Sequence, residues 1–143
     1  MKIIVASHGD LCNGLIHSYS MLAGDNDYLV PISLKENDTG QFKKNLEKLL
    51  EVNDDFLILC DLYGGTPFNE ALYFFQKYPD RIRVVAGVNL PMLLELGFTV
   101  QTNNEINIDE LVNISINVGS ESLRAEDIDT LSEKEEQESD DMF

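Results

Sequence analysis

The chain has 143 residues, 43% of them hydrophobic, and a formal net charge of −16. That length makes one domain with room for a sizeable core, and no apolar run is long enough to span a bilayer. Residues 121–143 hold ten acids against Arg124 and Lys134, half of the net charge. The rest is acidic too, which argues against nucleic-acid binding and is compatible with a basic protein partner.

The opening Lys-Ile-Ile-Val-Ala-Ser-His-Gly-Asp reads as a buried strand over residues 3–6 that runs into a polar bend at His8. One lysine before so short an apolar run is no signal peptide, so a cytoplasmic protein is expected. Leu11, Leu15, Ile16, Tyr19 and Leu22 then follow helical spacing, and Gly24 stops the helix. His17 falls inside it without an acidic partner and reads as a surface residue. A second strand spans 28–34, where Pro31 predicts an edge position or a bulge. Asp38 or Thr39 can cap the next helix, whose apolar face is Phe42, Leu46, Leu49 and Leu50.

The third strand is 56–60, and Gly64-Gly65 carries the chain into a helix over 67–77. Thr66 is the expected N-cap of that helix, with Pro67 at its first turn. Pro79-Asp80 turns into a fourth strand, 82–86, and Asn89-Leu90-Pro91 opens a short helix through Leu96. Residues 98–120 are two-sided. Asp109 can cap a helix carrying Leu111, Val112, Ser115 and Ile116, yet Val112, Ile114, Ile116 and Val118 alternate as a strand would. The helix is the favoured reading. The pattern predicts an α/β domain over residues 1–120: a three-layer, doubly wound, mostly parallel sheet with helices on both faces. Residues 121–143 read as an acidic tail, disordered toward its end. Cys12 and Cys60 are far apart and form no CxxC pair, so buried free thiols are expected.

Chemistry concentrates where strands end. In an open parallel sheet, sites form beyond the carboxyl ends of the strands, and His8 and Asp61 both stand there. A carboxylate bonded to one nitrogen of a neutral imidazole presents the other as a nucleophile and stabilises the cation formed on attack. Gly64-Gly65-Thr66 lets the backbone approach a ligand and aims a helix N-terminus at it, which suits a phosphate. Taken alone, that turn is an ordinary strand-to-helix connection. It lacks the lysine of a P-loop. Two histidines without a third ligand at a telling spacing make a weak metal site. No G-x-S-x-G elbow supports a serine hydrolase. A receiver domain would need an acidic pair where Ala6-Ser7-His8 stands.

Three blocks occur in order: Ala6-Ser7-His8-Gly9, then Asp61-Leu62-Tyr63-Gly64-Gly65-Thr66-Pro67-Phe68-Asn69, then Ala86-Gly87-Val88-Asn89-Leu90-Pro91-Met92-Leu93-Leu94-Glu95. Through them the chain resembles the IIA component of the mannose family of the sugar phosphotransferase system (PTS). The resemblance implies a cytoplasmic homodimer whose His8 accepts a phosphoryl group from the phosphocarrier HPr and passes it to a IIB component. That is phosphotransferase chemistry without a metal or cofactor, tied to the membrane only indirectly, through the IIC/IID sugar channel. It implies that Asp61 hydrogen-bonds His8 and that Gly64, Gly65 and Thr66 line the phosphate site. Tyr63 and Thr66 stand where the family often has tryptophan and serine, and each swap keeps the aromatic or the hydroxyl. The family's strand-exchanging C-terminal segment has no clear match after Gly119. Two alternatives share the same residues. One is the related phosphocarrier of a dihydroxyacetone kinase, whose turn differs. The other is a regulatory module whose binding depends on phosphorylation of His8.

Overall fold

The computed structural model describes residues 1–129. Strands and helices alternate as β1 (Lys2–His8), α1 (Leu11–Ala23), β2 (Leu29–Leu34), α2 (Thr39–Leu50), β3 (Phe56–Cys60), α3 (Thr66–Lys77), β4 (Ile82–Ala86), α4 (Leu90–Thr102) and α5 (Ile108–Glu121). The four strands are parallel in the order β2-β1-β3-β4. Every carboxyl end therefore lies on one side of the sheet.

The two central strands are buried on both faces. All five residues of β3 and residues 3–7 of β1 are buried, which is why both read as unbroken apolar runs. Their side chains sort by the two-residue period. Ile3, Val5, Leu57 and Leu59 join Cys12 and Tyr19 of α1, Leu93 and Leu96 of α4 and Leu111 of α5. Ile4, Ala6, Ile58 and Cys60 join Phe42 and Leu46 of α2 and Ala71 and Phe74 of α3 on the opposite face. The result is the expected three-layer sandwich. Cys12 and Cys60 are free and buried, in cores on opposite sides of the sheet. Burial, then the neighbouring Asp61 charge, pushes the Cys60 thiol up to about 12.

Pro31 sits on edge strand β2, opposite Val5, where its missing N–H breaks no inner ladder. Asp38 caps α2 by accepting the Gln41 N–H at 3.2 Å. Asn89 caps α4 in the same way, accepting from Met92 at 3.0 Å.

Two caps and one helix end differ from expectation. The N-cap of α3 is Gly65, and Thr66 is its first helical residue, because the Gly65 carbonyl already accepts the Asn69 N–H at 2.9 Å. Helix α4 runs past Leu96 to Thr102, since Leu96, Gly97 and Val100 stay buried. Within 98–120 the helical period wins: Leu111, Ser115 and Gly119 share the buried stripe of α5, and Asn107 rather than Asp109 caps it. The disorder expected toward the end of the acidic tail falls on residues 130–143, outside the described residues.

Candidate functional site

His8 is the last residue of β1, and Asp61 follows β3, the neighbouring strand. Parallel pairing of Ala6 with Cys60 brings the two strand ends level. Asp61 then holds His8 twice through one oxygen. Its Oδ2 accepts the His8 backbone N–H at 3.0 Å and lies 2.8 Å from Nδ1. A carboxylate accepts only, so in the neutral ring Nδ1 carries the proton and Nε2 has the lone pair. The Asp61 side chain is 11% exposed and that of His8 47%. The carboxylate is thus shielded, while the imidazole faces outward.

Burial pushes the Asp61 carboxyl up. The His8 backbone N–H, the ring hydrogen bond and the His8 charge together outweigh it and hold the carboxyl below its ordinary value of 3.8. The second oxygen, Oδ1, is buried and without a hydrogen-bond partner among the described residues. A half-paired buried carboxylate gains most when positive charge develops beside it, as it would on an imidazole that acted as a nucleophile.

The opposite wall is the glycine turn. Leu62, Tyr63, Gly64 and Gly65 form a β-turn closed by the Gly65 N–H to the Leu62 carbonyl at 3.2 Å. Gly64 occupies its third position with φ +81°, as a type II turn requires. Gly65 meets a different demand. A Cβ there would lie 2.8 Å from His8 Cε1 and 3.5 Å from Nε2, so the ring rests directly on the Gly65 backbone. Thr66 and Pro67 then begin α3, whose first N–H groups have no intrahelical acceptor and carry the helix's partial positive charge. The Gly65 N–H is committed to the turn.

Sequence reasoning thus placed His8, Asp61 and the glycine turn together, and the structure joins all of them. It did not single out Asn69, whose side-chain amide donates to the Gly64 carbonyl at 3.1 Å and braces the turn. It also passed over the role of Ser7, which is fully buried. Asp10 makes no side-chain cap at the start of α1. The Ser7 hydroxyl accepts the Cys12 N–H at 2.8 Å instead. A serine just before a bend histidine was the available signal for this. His17 is exposed on α1, as expected. Among the described residues no group of three His, Cys, Asp or Glu side chains gathers as a metal site would.

Residues 2–115 match the EIIA-man family, described as "PTS system fructose IIA component". The chain belongs to this family. Among its EIIA-man relatives, the mannose-specific EIIAB component of Escherichia coli is 30% identical over 130 residues, covering 87% of this chain and 39% of that protein. The chain therefore spans well under half the length of that relative. The fructose-specific EIIA component of Bacillus subtilis is 32% identical over 100 residues, 67% of this chain and 68% of that protein. The crystal structure of a phosphotransferase system EIIA component from Streptococcus agalactiae superposes with a TM-score of 0.80 at 32% identity. It covers 87% of this chain and 95% of that one. No helix among the described residues is long and apolar enough to cross a membrane.

Proposed function

We propose that this EIIA-man protein is a phosphohistidine carrier of the PTS: it accepts a phosphoryl group from HPr on His8 and passes it to a IIB component for sugar uptake. The observation that carries this reading is the 2.8 Å contact of His8 Nδ1 with Asp61. It leaves Nε2 as the nucleophile on an exposed ring at the carboxyl edge of the sheet.

In the forward step the Nε2 lone pair forms a bond to phosphorus as the bond from phosphorus to the donor nitrogen breaks. The donor imidazole leaves with that electron pair. Nδ1 keeps its proton throughout, so the phosphorylated ring is cationic and its charge is met by Asp61. The free N–H groups at the start of α3, beside Gly64, Gly65 and Thr66, face the phosphoryl oxygens as charge moves through them. The step asks for positioning and electrostatics from these residues and returns through the same geometry when IIB is the acceptor.

Residues 1–120 act as the IIA domain, a cytoplasmic homodimer, with residues 121–143 as an acidic appendage. The net charge of −16 suits partners with basic docking surfaces. The test is intact-protein mass after incubation with phosphoenolpyruvate, enzyme I and HPr, for wild type and His8→Ala. An acid-labile gain of one phosphoryl group in the wild type alone supports the carrier reading. No gain in folded wild type with active donors removes it.

A further inference from the structure

We propose that Ser33, on edge strand β2, is a positioning residue for phosphoryl transfer at His8, an inference that rests on the carrier reading above. Nothing in the chemistry of a surface serine marks it out; its place in the fold does. Ser33 lies opposite Ser7 in the β1–β2 register, and Leu34 lies opposite His8. Both polar groups of Gly9, the residue after the nucleophile, go to this strand. The Gly9 N–H donates to the Leu34 carbonyl at 2.8 Å. The Ser33 hydroxyl donates to the Gly9 carbonyl at 2.6 Å.

Gly9 needs such a clamp. Its φ is +58°, in the left-handed region, and the space where a side chain would stand is open. Glycine moves among backbone wells more freely than any other residue. The other hydroxyl on the same carbonyl, Ser7 Oγ, is farther away at 3.2 Å and also accepts the Cys12 N–H. A trans peptide is planar, so turning the Gly9 carbonyl toward β2 turns the Asp10 N–H the opposite way and sets how the chain enters α1. His8 is then held from both neighbouring strands. From β3, Asp61 fixes the backbone N–H and the ring. From β2, the Leu34 carbonyl holds the His8–Gly9 peptide and the Ser33 hydroxyl holds the Gly9–Asp10 peptide next to it. The direction of the Nε2 lone pair depends on both.

The test uses the full chain with phosphorylated HPr as donor, comparing wild type, Ser33→Ala and Ser33→Thr in saturation kinetics. Ser33→Ala removes one oxygen from a half-buried site and leaves both cores untouched. Losing one hydrogen bond's worth of aim should lower kcat by about fivefold to tenfold with KM unchanged. Ser33→Thr, which keeps the hydroxyl, should restore the wild-type rate. An unchanged kcat in Ser33→Ala overturns the proposal. So does a rise in KM alone, which would mark a docking contact, or a threonine variant as slow as the alanine. A second readout needs no donor: 15N relaxation of the Gly9 amide and the 15N shifts of the His8 ring in the free protein. Greater Gly9 mobility and altered ring shifts in Ser33→Ala support the clamp, and spectra matching the wild type overturn it. If wild type takes no phosphoryl group, the carrier reading fails, and the NMR comparison alone still decides whether Ser33 holds the His8 turn.

Discussion

The two ends of the sheet are built from opposite materials. At the carboxyl end, His8 is 47% exposed, and the turns beside it run through Gly9 and Gly64 at positive φ. At the amino end, the chain is locked by charge. The Met1 ammonium pairs with Asp54. Arg81 donates to the Leu50 carbonyl at 2.7 Å and to those of Val52 and Asp54 at 3.3 and 3.4 Å, with its guanidinium 4.3 Å from the Tyr78 ring centroid. One end leaves its backbone and the His8 ring open. The other ties the α2–β3 connection to the start of β4. The difference teaches that reactivity and rigidity are placed at opposite ends of the same strands, so substitutions at the two ends should separate rate from stability.

The largest break comes from His8→Ala, which should abolish phosphoryl uptake while leaving thermal unfolding close to wild type, as mass spectrometry and circular dichroism would show. Gly65→Ala comes next. Its Cβ would lie 2.8 Å from His8 Cε1, so the ring must swing aside. A displacement near 1 Å costs roughly 100-fold in transfer rate, measured by rapid-quench kinetics. A rate within about threefold of wild type would mean the ring does not need this floor.

Asp61→Asn keeps the shape and loses the charge. A hydrogen bond to a charged group is worth about 1.5–3 kcal/mol, so transfer should slow roughly 10- to 100-fold. The pH dependence sharpens the same point. The folded carboxyl lies below its ordinary 3.8, so its stabilisation is present in full above that value. It is lost as pH falls from there through the lowered value. Acid unfolding of wild type should therefore include a component in this window that Asp61→Asn lacks. Curves of the same shape for both proteins would contradict the pairing.

The smallest effect on rate belongs to the other end. Arg81→Ala frees three carbonyls and a ring stack and should cost about 2 kcal/mol in denaturant unfolding. The kcat of the folded fraction should not move. A slower transfer by the folded protein would show that the two ends are coupled.

Much of this was legible in the chain. The unbroken apolar runs of β1 and β3 announced strands buried on both faces. Pro31 announced an edge. His8 with Asp61 pointed to chemistry, because a carboxylate beside an imidazole at strand ends suits a nucleophile; the Gly64-Gly65 turn by itself reads as an ordinary strand-to-helix connection. The misreadings were local. Thr66 looked like a cap because its residue type favours that role, but the first helical hydrogen bond starts one residue earlier, at Gly65. Over 98–120 the favoured helix is the one that forms, but its cap was misplaced: Asp109 was a good cap by residue type, whereas Asn107 accepts the Glu110 N–H. Ser33 carried no signal, and Asn69 carried none of its bracing role, since each acts on the carbonyl of another residue.

By itself, the sequence determined the alternation of strand and helix, the residues that turn the chain, and the presence of a histidine and a carboxylate at strand ends. These follow from side-chain periodicity and backbone preference, which act over a few residues. Only the tertiary structure decided that β1 lies between β2 and β3. That order sets Asp61 on one side of His8 and Ser33 on the other, and rests the ring on Gly65. Strand pairing joins residues dozens of positions apart, and no local preference encodes which strand will be the neighbour.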